Sequence, residues 1–366
     1  MEVVAKFSCF KQIFDDGQES CFLILCWIVD CFGRYLWNLV LYDADLGRLE
    51  VPKYEEWLGV KKWWITLAVL VVLVAGGLIG AGSYFYHVAI ARGDKSFVTQ
   101  STKLSKKSQV YHEKYWYLHT AKQTWTIESH DHLRLVAWYI PAKKSTKTVV
   151  LAHGFAGNKS LMGAWAGMYH ELGYNVLVPD SRASGASQGQ AVGYGWLERR
   201  DDLQWARTVV KRTATKQIVM SGISMGAAGM TMASGERQIP QIKAYVVDSP
   251  FTSADAIISY QAGQLYHLPA FPLVNVTSLI TKLRAGYSFK EADAVAQIRK
   301  NRLPIMIISG TKDDFVPTRM GKQLYRNAHQ PKQLWLVKGA GHTTAITQNY
   351  QRYKRHIASF LAQYVD

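Results

Sequence analysis

Eighteen residues, Ile65 to Gly82, pass without a charge, and only Thr66 among them is clearly polar. At 1.5 Å per residue such a stretch approaches the thickness of bilayer hydrocarbon, where the backbone must satisfy its own hydrogen bonds as a helix. Tyr84, Phe85 and Tyr86 complete the run, Lys61 and Lys62 precede it, and Trp63, Trp64, Tyr84 and Tyr86 stand where interfacial aromatics belong. We therefore expect a transmembrane helix over residues 61–90, meeting lipid through residues 65–86. A buried core helix is the alternative, but it is rarely apolar on every side for this long. Positive charges flank both ends, Lys61 and Lys62 before and Arg92 and Lys95 after. The Lys-Lys pair running straight into the apolar stretch reads as an uncleaved signal anchor. The expectation is a single-pass protein of the cell membrane, N-terminus inside and the larger domain extracellular. VAIA at 88–91 leaves a cleaved signal peptide as the other reading.

Residues 1–60 differ from the rest of the chain. They hold five Lys or Arg and ten Asp or Glu, a balance of −5 in a chain of net charge +16, so residues 61–366 carry +21. They also hold all four cysteines, Cys9, Cys21, Cys26 and Cys31, at spacings that lack a Cys-x-x-Cys pair. No disulfide staples the main domain, and a zinc site is not expected. FLILCWIVDCF, broken by Asp30, reads as a short amphipathic or re-entrant element. The change of composition raises a further expectation, that translation starts near Val60 and residues 1–60 are an artefact of the assigned start. The basic surplus beyond residue 60 suits an anionic lipid or cell-wall polymer, or is simply a solvated surface. Nucleic acid is not expected as a partner, because the basic residues are scattered and form no recognisable motif.

After a polar, basic spacer at 91–120, with a first helix within it, the chain settles into a beat. WTIESHDHLRLVAWYIPA at 125–142 partly alternates and turns at HDH, as a hairpin would. Short apolar strands then alternate with helices: TVVLAHG, YNVLVPD, QIVMSG, IKAYVVDSP, LPIMIISG and QLWLVKG are strands. Helices are expected at 159–171, 196–212, after Ser224 to about Gly235, and over 344–365. Near-continuous apolar strands with helical crossovers predict a mostly parallel sheet covered on both faces, with ligands beyond the carboxyl ends of its strands. Residues of about 251–300 interrupt the beat and read as a small helical cap over the site, or as a long crossover.

The strand ends carry the chemistry. GISMG at 222–226 fits Gly-x-Ser-x-Gly, in which a tight strand-to-helix turn lifts Ser224 into solvent at the head of a helix and aims the Met225 amide at a developing oxyanion. A serine hydroxyl needs a base. GAGHTT, after the last strand, offers His342. The imidazole needs an acid, and SGTKDDFVP offers Asp313, with Asp314 as the alternative and Asp248 as a more distant one. HGFAG at 153–157 can present a second oxyanion donor, placed at the Phe155 amide, with His153 and Asp180 as structural residues of their loops. The order Ser, Asp, His is that of this sheet topology.

Taken together, LAHGFAGNKS, YNVLVPDSRASGASQG, GWLERRDDLQWA, MSGISMGA, SGTKDDFVP and GAGHTT make the chain from about 120 to 366 resemble an alpha/beta-hydrolase. It is most similar to the membrane-anchored bacterial serine hydrolases of esterase or S9 peptidase-like type. The resemblance implies an alpha/beta-hydrolase domain over 121–366, with Ser224 as nucleophile, Asp313 as acid, His342 as base, and Phe155 and Met225 as oxyanion donors. No metal or organic cofactor enters such a mechanism. Arg182-Ala183-Ser184-Gly185 departs from the Arg-Gly-x-Gly of many relatives. The expected activity is hydrolysis of a small-molecule carboxylic ester through an acyl-enzyme. A peptidase acting on short peptides is the enzymatic alternative, and a non-catalytic binding protein on the same scaffold is the other.

Overall fold

The computed structural model describes residues 54–93 and 104–366, with side chains from Lys62 onward in the first segment. The FLILCWIVDCF run, the four cysteines and the start-site expectation lie outside the described residues.

The elements are α1 (Tyr54–Ala89), α2 (Gln109–His119), β1 (Gln123–Glu128), β2 (Arg134–Ile140), β3 (Lys147–Ala152), a 3-10 turn (Lys159–Met162) leading into α3 (Gly163–Glu171), β4 (Asn175–Pro179), α4 (Glu198–Arg212), β5 (Gln217–Ile223), α5 (Met225–Ala233), β6 (Ile242–Asp248), α6 (Ala254–Tyr266), α7 (Leu273–Ala285), α8 (Ala294–Ile298), β7 (Ile305–Gly310), α9 (Thr318–Asn327), β8 (Lys332–Val337), α10 (Ala345–Gln348) and α11 (Tyr350–Leu361). Residues 72–366 form one compact unit that takes in α1 from Val72 onward. Residues Lys62–Ala89 of α1 are long and apolar enough to cross a membrane.

Eight strands form one sheet in the order β1-β2-β4-β3-β5-β6-β7-β8, among the described residues. The β1–β2 hairpin and the β2–β4 pair are antiparallel, and every other pair is parallel. The apolar runs explain the layering. Successive residues of a strand point to opposite faces, and here both faces are buried. Val150, Ala152, Met220, Val247, Ile305 and Ile307 face one core with Leu203, Trp205 and Val209 of α4, Met230 and Met232 of α5, and Leu324 of α9. Val149, Leu151, Val219, Val246, Met306 and Ile308 face the other with Tyr117 of α2, Met168 and Tyr169 of α3, and Tyr353, Ile357 and Phe360 of α11. Each such aliphatic side chain is worth about 1.5–3 kcal/mol on burial, and a strand shifted by one residue would exchange its two sets between cores shaped for the other, at a cost in packing and not in exposure.

Two local expectations need correction. The helix read over 344–365 breaks at Asn349, whose extended backbone ends α10 and whose side chain accepts from the Arg352 amide to start α11. A helix not anticipated, α9, fills the β7–β8 crossover; it buries only Met320, Gly321 and Leu324 and is otherwise polar.

The chain leaving α1 is stitched to the loop before α4. The Val192 amide donates to the Ile90 carbonyl at 2.8 Å and the Arg92 amide to Gln190 at 2.7 Å. The Arg92 guanidinium donates to the carbonyls of Ser187 and Gly185. Tyr287, from just beyond α7, donates its hydroxyl to the Val192 carbonyl from the other side.

Candidate active site

Ser224 sits between β5 and α5 at φ 51°, ψ −118°, a backbone conformation costly for a side-chain-bearing residue. The flanking glycines make this bend physically possible. A Cβ on Gly222 would lie 2.5 Å from the backbone carbon of Gly226, and one on Gly226 would lie 2.5 Å from the Ala152 carbonyl oxygen at the end of β3. The bend also packs the HGFAG loop against the serine: a Cβ on Gly154 would lie 3.2 Å from that of Ser224.

Long segments of chain bring three side chains together here. His342 Nε2 is 2.9 Å from Ser224 Oγ, and His342 Nδ1 is 2.9 Å from Asp313 Oδ2. The other oxygen of Asp313 accepts from the amides of Phe315 and Val316, at 3.1 and 2.7 Å. An ionised carboxylate only accepts, so Nδ1 carries the proton and Nε2 is left to accept from the hydroxyl. The loops holding base and acid are tied to one another, since the Lys312 amide donates to Ala340 and the Gly339 amide to the Thr311 hydroxyl. Asp314 is exposed, and its carbonyl accepts from the Tyr260 hydroxyl of the cap. Asp248 is buried at the end of β6 and accepts from Tyr353 and Ser249 rather than from His342. Burial pushes its carboxyl up to about 6, against the pull of those hydrogen bonds and of the nearby imidazole.

Met225 follows Ser224 directly and Gly154, one residue before Phe155, packs against the serine; among the described residues neither the Phe155 nor the Met225 amide donates to a protein acceptor. His153 is fully inside: Nδ1 donates to the Gly154 carbonyl, Nε2 accepts from the Ser181 amide, and burial lowers its proton affinity. It is a neutral strut. Asp180 accepts from the amides of Lys159 and Ala186, both at 2.7 Å, and from the Lys159 ammonium, pinning the loop after β4. Arg182 of that loop forms a fork onto Asp201 of α4, at 2.7 and 2.8 Å, and a second onto Asp131 of the β1–β2 turn. His130, Asp131 and Asp201 approach closely enough to suggest a metal, but both carboxylates are occupied by Arg182. Ala183 takes φ 57°, the left-handed region that glycine enters without strain.

Above the serine opens an apolar pocket of about 840 Å³ including its mouth. Phe155, Tyr194, Phe251 and Phe315 surround the serine end, with ring centroids 5.5 Å apart for Phe155–Tyr194 and 4.9 Å for Phe315–His342. Ile257, Ile258, Leu265 and Val274 of the cap form the roof, and Gln261 of α6 donates to the Phe315 carbonyl to fasten it. Phe85, Val88 and Ala89 of α1 complete the lining. Sequence reasoning missed those three, because their place at the end of an apolar run gave them a lipid-facing role and nothing more.

Comparison with known proteins matches this picture. The yeast membrane protein YNL320W of Saccharomyces cerevisiae is 23% identical, over 61% of this chain and 74% of its own. YqkD of Bacillus subtilis is 26% identical, over 82% of this chain and 97% of its own. The esterase Pf2001 of Pyrococcus furiosus superposes with a TM-score of 0.57 at 22% identity, covering 73% of this chain and 97% of that structure, a likeness of fold. The family model described as "Alpha/beta hydrolase family" matches residues 149–354, from within β3 to within α11 and including all three hydrogen-bonded side chains, and the chain belongs to that family.

Proposed function

We propose that this hydrolase is a serine esterase, with Ser224 as nucleophile, His342 as base and Asp313 as the acid that orients it. The observation that carries the reading is the unbroken line Asp313 Oδ2–His342 Nδ1 and His342 Nε2–Ser224 Oγ, each link 2.9 Å, beside two uncommitted amides. Ser224 Oγ attacks the ester carbonyl carbon as His342 Nε2 takes its proton. The carbonyl oxygen becomes an anion held by the Phe155 and Met225 amides. Asp313 stabilises the imidazolium without taking its proton. Collapse breaks the carbon–oxygen bond, and the imidazolium protonates the departing alkoxide to give the alcohol. Water then attacks the acyl-enzyme by the same route, releasing the carboxylic acid and restoring the serine. The apolar pocket beside Ser224 favours an ester with an apolar acyl part.

α1 acts in this reading as a membrane anchor, single-pass in the cell membrane with the hydrolase domain outside. The support is its length and apolar character, and the membrane assignment of the yeast relative. The surplus of +21 beyond residue 60 suits contact with anionic lipid or wall polymer.

A fluorophosphonate probe tests the nucleophile: wild-type protein should be labelled and Ser224→Ala should not. Folded wild-type protein that resists labelling would leave a binding role as the better reading. p-Nitrophenyl esters of graded chain length, set beside aminoacyl nitroanilides, test the bond. Preference for the anilides would make the protein a peptidase.

A further inference from the structure

The pocket beside Ser224 is continuous with the helix expected to enter the membrane. Phe85, Val88 and Ala89 line it with α6 and α7, and the Phe85 ring meets Tyr266 edge-on at 5.1 Å. The contact extends down the helix. A Cβ on Gly82 would lie 2.8 Å from Val276 and 3.0 Å from Ile280, so the absent side chain lets α7 lie directly on α1. Four residues on, the Arg284 guanidinium stands 5.3 Å from the centre of the Tyr86 ring. The two helices therefore run in the same direction. The Arg284 end of α7 lies level with the end of α1, and Phe271, ahead of α7, lies toward the apolar stretch.

The outer face of the cap is unlike that of a protein bathed in water. Val274, Thr277 and Thr281 point inward, Val276 and Ile280 meet α1, and Leu279 and Leu283 point outward at 60% and 78% exposure. Phe271 is 76% exposed, and Leu265 and Leu268 are exposed nearby. On α1 itself Val72, Leu73, Val74 and Ile79 are exposed. Side chains of this kind grouped on one side mark a surface that something apolar covers. A bilayer around α1 would reach them, with Lys282 and Arg284 at the height of the headgroups.

Resting on the esterase reading above, we propose that the substrate is a long-chain carboxylic ester resident in the bilayer, and that α1 is a wall of its acyl site as well as an anchor. The chain enters past the exposed rim of Leu265 and Tyr266, lies against Phe85, Val88 and Ala89, and brings its carbonyl to Ser224. The polar alcohol part stays at the headgroup level. Hydrolysis returns a fatty acid to the membrane and an alcohol to water.

The test uses the full chain in phosphatidylcholine–phosphatidylglycerol vesicles. A dodecyl fluorophosphonate with a terminal diazirine attaches its phosphorus to Ser224 Oγ with loss of fluoride. Irradiation then links the chain end to whatever it touches. Peptide mapping should find crosslinks on residues 85–89 together with α6 or α7. Labelling of Ser224 with crosslinks only elsewhere overturns the proposal and leaves the esterase reading intact, whereas absence of labelling at Ser224 sinks both. Val88→Trp should lower the ratio of kcat/KM for dodecanoate over acetate p-nitrophenyl esters at least tenfold, and Phe85→Ala should move the preference toward longer chains. Ratios within twofold of wild type in both variants also overturn the proposal. Finally, hexadecanoylglycerol placed in the protein's own vesicles should be cleaved at least tenfold faster at first than the same ester in separate vesicles. Equal initial rates would make the substrate a dispersed ester drawn from water, against the proposal.

Discussion

The two sides of the Ser224 cleft are built by different means. On the sheet side, position is set by backbone and buried charge. Gly222 and Gly226 sit where a Cβ would strike main chain, His153 is hydrogen-bonded at both ring nitrogens, and Arg182 grips Asp201 and Asp131 with side-chain exposure of 3%. On the cap side, α6 and α7 meet the rest of the domain mainly through aliphatic side chains, with the bonds from Tyr260 and Gln261 as fasteners. Directional contacts hold reacting atoms to a fraction of an ångström, whereas apolar packing tolerates exchange of shape and volume. The difference places the demand for precision at Ser224 and its partners and the freedom to vary at the apolar pocket.

The contrast can be broken, most decisively at Asp313. Asp313→Asn should leave the fold unchanged and lower kcat by about 10⁴-fold, because the amide cannot enforce the Nδ1–H tautomer; steady-state kinetics with circular dichroism reads both. A loss below tenfold would place the orienting acid elsewhere, with Asp248 the next to examine.

Arg182→Met strands Asp201 without its partner in the interior. It should cost about 3–5 kcal/mol in denaturant unfolding, and a cost near zero would show that the loop after β4 is held by Asp180 alone. Asp248 supplies a pH-dependent version of the same idea. Burial raises its folded proton affinity to about 6, so the folded chain keeps a proton that the unfolded chain has given up. Stability from this group is full below its unfolded value near 4 and is lost as pH rises through 6. Asp248→Asn, which cannot ionise, should therefore gain on wild type by about 2–3 kcal/mol between pH 4 and pH 7. A difference that stays flat with pH would mean the carboxyl ionises as freely folded as unfolded.

The smallest effect belongs to the cap. Leu279→Ser, at an exposed site, should change unfolding free energy in detergent by less than about 0.5 kcal/mol. If it cost as much as Arg182→Met, the cap would be as rigidly specified as the sheet, and the comparison would fail.

These same differences explain what could be read from sequence. The parallel strands are legible because each is a nearly unbroken apolar run closed by Gly, Asp or Ser, a pattern demanded by burial on both faces. The serine turn is legible because backbone crowding leaves room only for glycine at 222 and 226. His342 and Asp313 are legible because each follows a strand, and the structure brings them into line with Ser224. α9 goes unread although TRMGKQLYRN is sharply one-sided, with Met320, Gly321 and Leu324 buried and Arg319, Lys322 and Arg326 outside; it is short, and Gly321 at its middle reads as a break. The break at Asn349 is hidden because the helical pattern on either side reads straight through it. Asp131 is hidden too: its value depends on Arg182, 51 residues away, and nothing in HDH announces a partner.

The hydrogen bonds joining residues 90–92 to the 185–192 segment remove slack between α1 and the hydrolase domain. With α1 seated in a bilayer, the domain is clamped to its anchor at the membrane surface rather than held on a leash. Its reach above the membrane plane is set to within the play of a few hydrogen bonds, so the enzyme would search for substrate by sliding in two dimensions at constant height. Inserting a flexible glycine-serine segment after Gly93 would leave that height untouched, whereas the same segment between Ala89 and Arg92 would leave only the packing of α1 on α6 and α7 to hold it.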